Sequence, residues 1–393
     1  MSERPPLNPL LADEREYPFV KLEQRVKELA PAGTPLIHFG IGDPREETPE
    51  FIRTTLAKSI PAVSSYPTTV GKPELRTAIA GWYQRRFDVA LDPDRHILPA
   101  NGTKEAVFLL AFALIDRSGR DARRNTVVIP SPAYPVYEQG AKLAGGEVHF
   151  APLSSANRWR FDPASVPDAV WDRTALLWIN DPHNPTGSLL ERSELERIVA
   201  FARARGFWVA GDHAYDELSF GAQRPASVLQ AGLDGAIAFH TLSKRSAMTG
   251  FRSGFMAGDE RLITVLRRFR PSVGVATPEF IQDAAIAAWS DDSHVEGLRD
   301  RFRAKRERML AYFAKRGWSI EASEASFYLW MKAPGGDDLA FADQLFRVGV
   351  VAMPGSLLGV GGEGFLRWAL VPTLAQVDEA IRRLDAVAAP VAR

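Results

Sequence analysis

Between about residues 50 and 290 the chain alternates two patterns. Short runs are apolar at nearly every position: "NTVVIP" (125–130), "TALLWIN" (174–180), "GFWVAG" (206–211) and "GAIAFH" (235–240). Runs that do not alternate predict strands covered on both faces, as in a parallel sheet. Between them lie segments of helical period. In "ERSELERIVAFARARG", Ser193 and Glu196 have capping-box spacing, Leu195, Ile198, Val199 and Ala202 mark one face, and Gly206 ends the helix. "PELRTAIAGWYQRRF" predicts a helix that buries Leu75, Ile79, Trp82 and Phe87. Strand–helix alternation of this kind implies an α/β sheet.

Near residue 290 the pattern changes. "SHVEGLRDRFRAKRERMLAYFAKRG" reads as one long charged helix, followed by "SFYLWMKA", a helix from about 338, "FLRWALV" and a last helix from 374. The first 49 residues are rich in proline and lack a core of their own. The expected organisation is a large domain over 50–290 and a smaller α+β domain from 1–49 and 291–393. At 393 residues the chain exceeds the usual size of one hydrophobic core. The first residues are expected to dock on the small domain or on a second subunit.

Composition narrows the chemistry. Lys+Arg and Asp+Glu both number 48, a balance that argues against nucleic acid or an anionic membrane as main partner. There is no cysteine, so disulfides, thiolate nucleophiles and cysteine-bound zinc are excluded. No run of membrane-spanning length and no signal-peptide core is present, and a cytoplasmic enzyme is expected.

Candidate chemistry falls at the strand ends, where ligands bind in open α/β sheets. "AFHTLSKRSAMTGFRSGF" places Thr241, Ser243, Lys244 and Arg252 after one strand. A lysine amine forms Schiff bases with an aldehyde, and a guanidinium suits a phosphate. "DPHNPTG" puts Asn184 in a turn set by Pro182, Pro185 and Gly187; "GDHAYDELSF" puts Asp212 at a strand end with Tyr215 three residues on. Gly102, Thr103 and Lys104 open an apolar helix, whose free amides make an anion site. Tyr134 follows "TVVI", and Tyr66 lies in "SSYPTTVGKPELR". Singly, each also fits a turn, a cap or a core aromatic. Together they match one planar, phosphorylated, aldehyde-bearing ring.

On the joint pattern "YPTTVGKPELR", "NPTG", Asp212–Tyr215 and "SKRSAMTGFRSG", residues from about 17 to 388 resemble the fold-type-I, class I/II pyridoxal-phosphate aminotransferases. The resemblance implies a mainly parallel seven-stranded sheet sandwiched by helices, with pyridoxal 5'-phosphate as cofactor. It implies that Lys244 is the covalent lysine and proton carrier, that Asp212 pairs with the pyridine nitrogen, and that Asn184 and Tyr215 bind the phenolic oxygen. Tyr134 would stack on the ring. Arg252, Thr241, Ser243 and the amides of Gly102, Thr103 and Lys104 would hold the phosphate. Tyr66 would reach the cofactor of a neighbouring subunit in a homodimer. Arg367 would grip the substrate α-carboxylate, with Gly42 close by. Family members often carry cis bonds where Ser131–Pro132 and Asn184–Pro185 stand here.

"YPF-KL", "ASFYLW", "LSKRS" and "ALVPT" are similar to the N-succinyldiaminopimelate aminotransferase subgroup, which implies glutamate and N-succinyl-2-amino-6-oxopimelate as the pair. His213 stands where that subgroup has an acid and is expected to be a packing change. Arg45, Lys104 and Arg270 are basic candidates for the distal end of the substrate. The alternatives on this scaffold are an aminotransferase for aspartate, aromatic or neutral amino acids, and a β-lyase. A ligand-sensing domain of a transcription regulator would need a DNA-binding module.

Overall fold

The computed structural model describes residues 7–12, 17–118 and 124–387. Thirteen strands occur among them: β1 Ile37–His38, β2 Ile97–Ala100, β3 Thr126–Ser131, β4 Glu147–Pro152, β5 Thr174–Asn180, β6 Trp208–Asp212, β7 Ala236–Thr241, β8 Gly254–Gly258, β9 Ile320–Ala322, β10 Tyr328–Lys332, β11 Val350–Val351, β12 Met353–Pro354 and β13 Phe365–Ala369. Seven of them form one sheet in the order β2-β8-β7-β6-β5-β3-β4. Strand β8 runs antiparallel to β2 and β7, and the other pairs are parallel.

The four strands expected from all-apolar runs are β3, β5, β6 and β7, the centre of this sheet. Their residues divide between two cores: Val128, Leu177, Ile179 and Val209 face one, while Val127, Leu176, Trp178 and Phe239 face the other. Burial on both faces is why no polar residue alternates through them. Helix Pro73–Phe87 buries Leu75, Ile79, Trp82 and Phe87, as its period predicts. Helix Arg192–Arg205 has the expected apolar face and ends at Gly206, but its start differs from the sequence reading. Ser193 lies inside the first turn. The cap is Glu191, whose N–H donates to Glu194 Oε2 at 2.6 Å, so the capping box sits two residues earlier than Ser193–Glu196.

A second, antiparallel sheet has the order β12-β13-β10-β9, and β1 pairs in parallel with β11. The long charged helix is Ser293–Arg316, and it packs against Leu374–Leu384. Helix Pro18–Leu29 packs on Asp338–Arg347 and is tied there by Arg25 Nη2–Asp343 Oδ2 at 2.6 Å. The early residues from 18 to 38 therefore lie against the C-terminal elements. Ser131–Pro132 and Asn184–Pro185 are cis, as the resemblance implies, and Asp181–Pro182 is a third cis bond that it does not. Among the described residues no helix is long and apolar enough to cross a membrane.

Candidate active site

The carboxyl ends of β5, β6 and β7 open onto a cavity of about 600 Å³, closed on the other side by Tyr17, Phe19, Gly42, Tyr328 and Arg367. Strand register explains the convergence. Asn180 and Asp212 are partners at the ends of β5 and β6, and Asp212 is level with Phe239 on β7, two residues before Thr241. Thr241 then caps a short helix, Leu242–Arg245, through its Oγ1 to the Ser243 N–H at 3.1 Å, and this turn carries Lys244.

Lys244 lines the cavity, and its Nζ donates to the Gly42 carbonyl at 2.5 Å. Burial lowers its amine to about 8; the Asp43 carboxylate works against this, while Arg252 and Arg367 add to it. Asp212 is buried, and burial pushes its carboxyl up to about 6. Two hydrogen bonds pull the other way: Tyr137 Oη donates to Oδ2 at 2.6 Å, and the Ala214 N–H to Oδ1 at 3.2 Å. Tyr137 is held by stacking on Trp178, with centroids 4.5 Å apart.

Arg367 sits on β13 and is 2% exposed, so it is no surface strand arginine. Its Nη1 donates to Asn184 Oδ1 at 2.9 Å and its Nη2 to the Gly40 carbonyl at 2.6 Å. Asn184 is fixed in turn by its own N–H, which donates to Asn180 Oδ1 at 2.6 Å. Tyr215 Oη meets Tyr328 Oη at 3.0 Å.

The far side of the cavity is built for an anion. Gly102 precedes helix Thr103–Leu114 with φ +77°, the left-handed region, and a Cβ there would lie 2.2 Å from Arg252 Nη2. A side chain there would be strained by the backbone conformation and would have to push the guanidinium aside. Arg252 donates Nη1 to the Thr249 carbonyl at 2.8 Å and forms no ion pair among the described residues. A cation, a helix N-terminus and the Thr241 and Ser243 hydroxyls thus face one region.

Thr103, Lys104, Tyr134, Asn184, Asp212, Tyr215, Thr241, Ser243, Lys244, Arg252, Arg367 and Gly42 all line this cavity, and Gly102 lies directly beneath Arg252. Tyr66 does not: it is 95% exposed and outside the cavity of its own chain. Of the three basic distal candidates only Lys104 lines it, with Nζ 5.3 Å from the Tyr17 ring centroid. Arg270 is buried and paired with Glu105 at 3.2 Å, and Arg45 lies outside the cavity lining.

His213 packs, as expected. Its Nε2 accepts from the Val228 N–H at 3.1 Å, which assigns the ring proton to Nδ1, 2.8 Å from the Asp181 carbonyl. Burial lowers it to about 4, so it is neutral. Sequence reasoning missed Tyr17, Phe19, Asp43, Tyr137, Asn180 and Tyr328. Tyr137 stands three residues after Tyr134, in "PSPAYPVYE", and Tyr328 within "ASFYLW", but an aromatic in an apolar run reads as core.

A half-buried lysine, a buried carboxylate and an arginine–amide pair around one cavity, with an anion cradle at its end, are the parts of a lysine-anchored pyridoxal-phosphate enzyme. Residues 34–384 match the family described as aminotransferase class I and II. The chain belongs to that family and is a pyridoxal-phosphate-dependent aminotransferase. It is 36% identical to the LL-diaminopimelate aminotransferase of Dehalococcoides mccartyi (strain ATCC BAA-2266 / KCTC 15142 / 195), over 94% of this chain and 95% of that protein. It is 35% identical to that of Aquifex aeolicus, over 94% and 95%. Among solved structures it superposes on an aminotransferase from Neisseria meningitidis with a TM-score of 0.90, at 35% identity, over 97% of this chain and 100% of the other. Substrate-bound BacF from Bacillus subtilis gives 0.88 at 28% identity, over 98% and 97%.

Proposed function

We propose that this chain transfers an amino group between glutamate and a keto acid of the diaminopimelate type, in the synthesis of lysine precursors. The observation that carries the reading is the placement of Lys244, Asp212 and Arg367 around one cavity. Pyridoxal phosphate, when bound, supplies an aldehyde for amines and a protonated pyridine ring that draws electrons from the carbon bearing the substrate nitrogen. Lys244 is the covalent anchor. Once freed by the incoming amino acid, its Nζ takes the substrate α-proton and later returns a proton as acid. Asp212 holds the proton on the pyridine nitrogen by opposite charge in a poorly hydrated place. Asn184 and Tyr215 donate to the phenolic oxygen, and Tyr134 covers the ring face. Arg252, Thr241, Ser243 and the first-turn amides from Gly102 to Lys104 hold the phosphate. Arg367, already aligned by Asn184, takes the α-carboxylate in its planar fork, beside Gly42. Two such half-reactions give ping-pong kinetics.

The names of the relatives favour the keto acid whose amination gives LL-diaminopimelate itself, while the subgroup motifs favour its N-succinylated form. The position of Lys104 in the cavity lining supports a contact with an anionic distal end. A donor and acceptor panel with both compounds decides the acceptor; an absence of 2-oxoglutarate from glutamate with every acceptor would sink the reading. Lys104→Gln is expected to raise KM about 5- to 30-fold for substrates with a distal carboxylate and little for apolar ones, the worth of one charge-assisted contact. Equal effects on both kinds would remove Lys104 from that role.

The reading includes a homodimer. Tyr66 is exposed, and so are Ile60 and Val63 on the same segment, an apolar surface that a second subunit would cover. Sedimentation of the holoenzyme is expected to give twice the mass of one chain, and Tyr66→Phe to weaken cofactor retention. A monomer with full activity would contradict it.

A further inference from the structure

Tyr328 touches three separate parts of the site. Its Oη lies 3.0 Å from Tyr215 Oη, and its ring lies under the Arg367 guanidinium, 4.6 Å from Cζ to centroid. The Gly42 backbone, whose carbonyl holds Lys244 Nζ, passes so close that a Cβ on Gly42 would be 2.2 Å from Tyr328 Oη. The placement is built into the sheet. Tyr328 pairs with Ala369 and Trp330 with Arg367 across β10 and β13, so Tyr328 and Arg367 are diagonal neighbours on one face. Just before β10, Ser326 has φ +63° and its Oγ accepts the Tyr328 N–H at 3.1 Å, a buried non-glycine left-handed residue that turns the strand into the cavity.

We propose that Tyr328 is a positioning residue that couples carboxylate binding at Arg367 to the proton affinity of the cofactor, acting through Tyr215. The proposal rests on the assignment of Tyr215 to the phenolic oxygen and of Arg367 to the α-carboxylate. Each phenol has one proton. Tyr215 spends its own on the phenolic oxygen, so at the 3.0 Å contact Tyr328 donates and Tyr215 accepts. Donors in series polarise one another, each bond strengthening the next by about 10–30%. A cation over the Tyr328 ring makes its hydroxyl a better donor still. In the free enzyme the chain Arg367–Tyr328–Tyr215 therefore stabilises negative charge on the phenolic oxygen. A carboxylate on Arg367 compensates the cation, weakens both donors and leaves the oxygen more basic. Substrate binding is thereby reported to the reacting end of the site. This path is additional to the direct bond from Arg367 to Asn184.

The test is a pH titration of the visible absorption band of the holoenzyme, with and without saturating succinate, an unreactive carboxylate. Tyr328→Phe keeps the ring and removes only the hydroxyl, and the melting temperature of the variant checks that it folds. Its midpoint without succinate is expected to rise by about 0.3 of a pH unit or more, and the further rise caused by succinate to shrink. Tyr215→Phe is expected to raise the midpoint more, and the double variant to show no further shift from Tyr328, because the two act in one chain. If Tyr215→Phe moves the midpoint while Tyr328→Phe leaves both the midpoint and the succinate shift at wild-type values, the coupling is overturned and the role of Tyr215 stands. If neither variant moves it, the assignment of Tyr215 falls, and the coupling with it.

Discussion

Lys244→Ala is expected to abolish the visible band that pyridoxal phosphate gives with the wild-type protein and to lower turnover by about 10⁴-fold or more. The size follows from the loss of the two proposed roles at once, covalent attachment and proton transfer, of which the second alone is worth about 10²–10⁴. The environment of the amine sharpens the prediction. Burial lowers it to about 8, from an ordinary 10.5. A lowered pKa means that more of the group is neutral at any given pH. At pH 7 roughly a tenth of the amine is then free to attack an aldehyde, against roughly one part in 3,000 for an ordinary lysine. Capture of added cofactor by the apoenzyme is accordingly expected to speed up as pH rises from 6 and to level off above about 8. Stopped-flow absorbance measures it. A flat rate across that range, or near-normal turnover in Lys244→Ala, would remove this lysine from the chemistry.

The sequence made the centre of the large sheet legible because β3, β5, β6 and β7 are buried on both faces and so carry unbroken apolar runs. The edge strand β4 is half exposed and mixed, and gives no such signal. Residues at strand ends were also legible. Lys244, Asp212, Asn184 and Arg252 are polar groups at the ends of apolar runs, where a fold needs none for stability. Tyr137 and Tyr328 were not, because an aromatic inside an apolar segment satisfies the core equally well, and only the partner of its hydroxyl distinguishes the two uses. That partner lies 75 residues away for Tyr137 and 113 for Tyr328. Arg270 shows the opposite error. A basic residue suggested a substrate contact, but Arg270 lies outside the cavity lining, with its Nη2 on Glu105 and the Val275 carbonyl.

The second large effect concerns Asp212, the carboxylate proposed to face the ring nitrogen. Asp212→Asn is expected to lower kcat roughly 100- to 5,000-fold, the kinetic equivalent of about 3–5 kcal/mol for breaking a buried charge pair. On that proposal, an amide in place of the carboxylate would no longer hold the proton on the pyridine ring, which would then draw electrons less strongly. The neighbouring phenol gives a graded version of the same test. Tyr137 Oη donates to Asp212 Oδ2 at 2.6 Å and so favours the ionised carboxylate, whose buried value is already raised to about 6. Tyr137→Phe removes that bond and raises the carboxyl further. On this reading activity needs the ionised form and falls as the carboxyl takes up its proton, so the acid limb of the pH profile should move to higher pH. The loss in kcat at pH 8 should stay below about 100-fold, the limit set by one hydrogen bond to a charged group. Because the carboxylate and the pyridine titrate as a pair, the limb reports on both together. A cofactor analogue with carbon in place of the ring nitrogen separates the possibilities. With it, the wild type should fall to the level of Asp212→Asn, and neither Asp212→Asn nor Tyr137→Phe should cost much more. If both substitutions still lowered turnover by their full factors with that analogue, Asp212 would be acting on something other than the ring proton, and its hydrogen bond from Tyr137 would be a matter of packing alone.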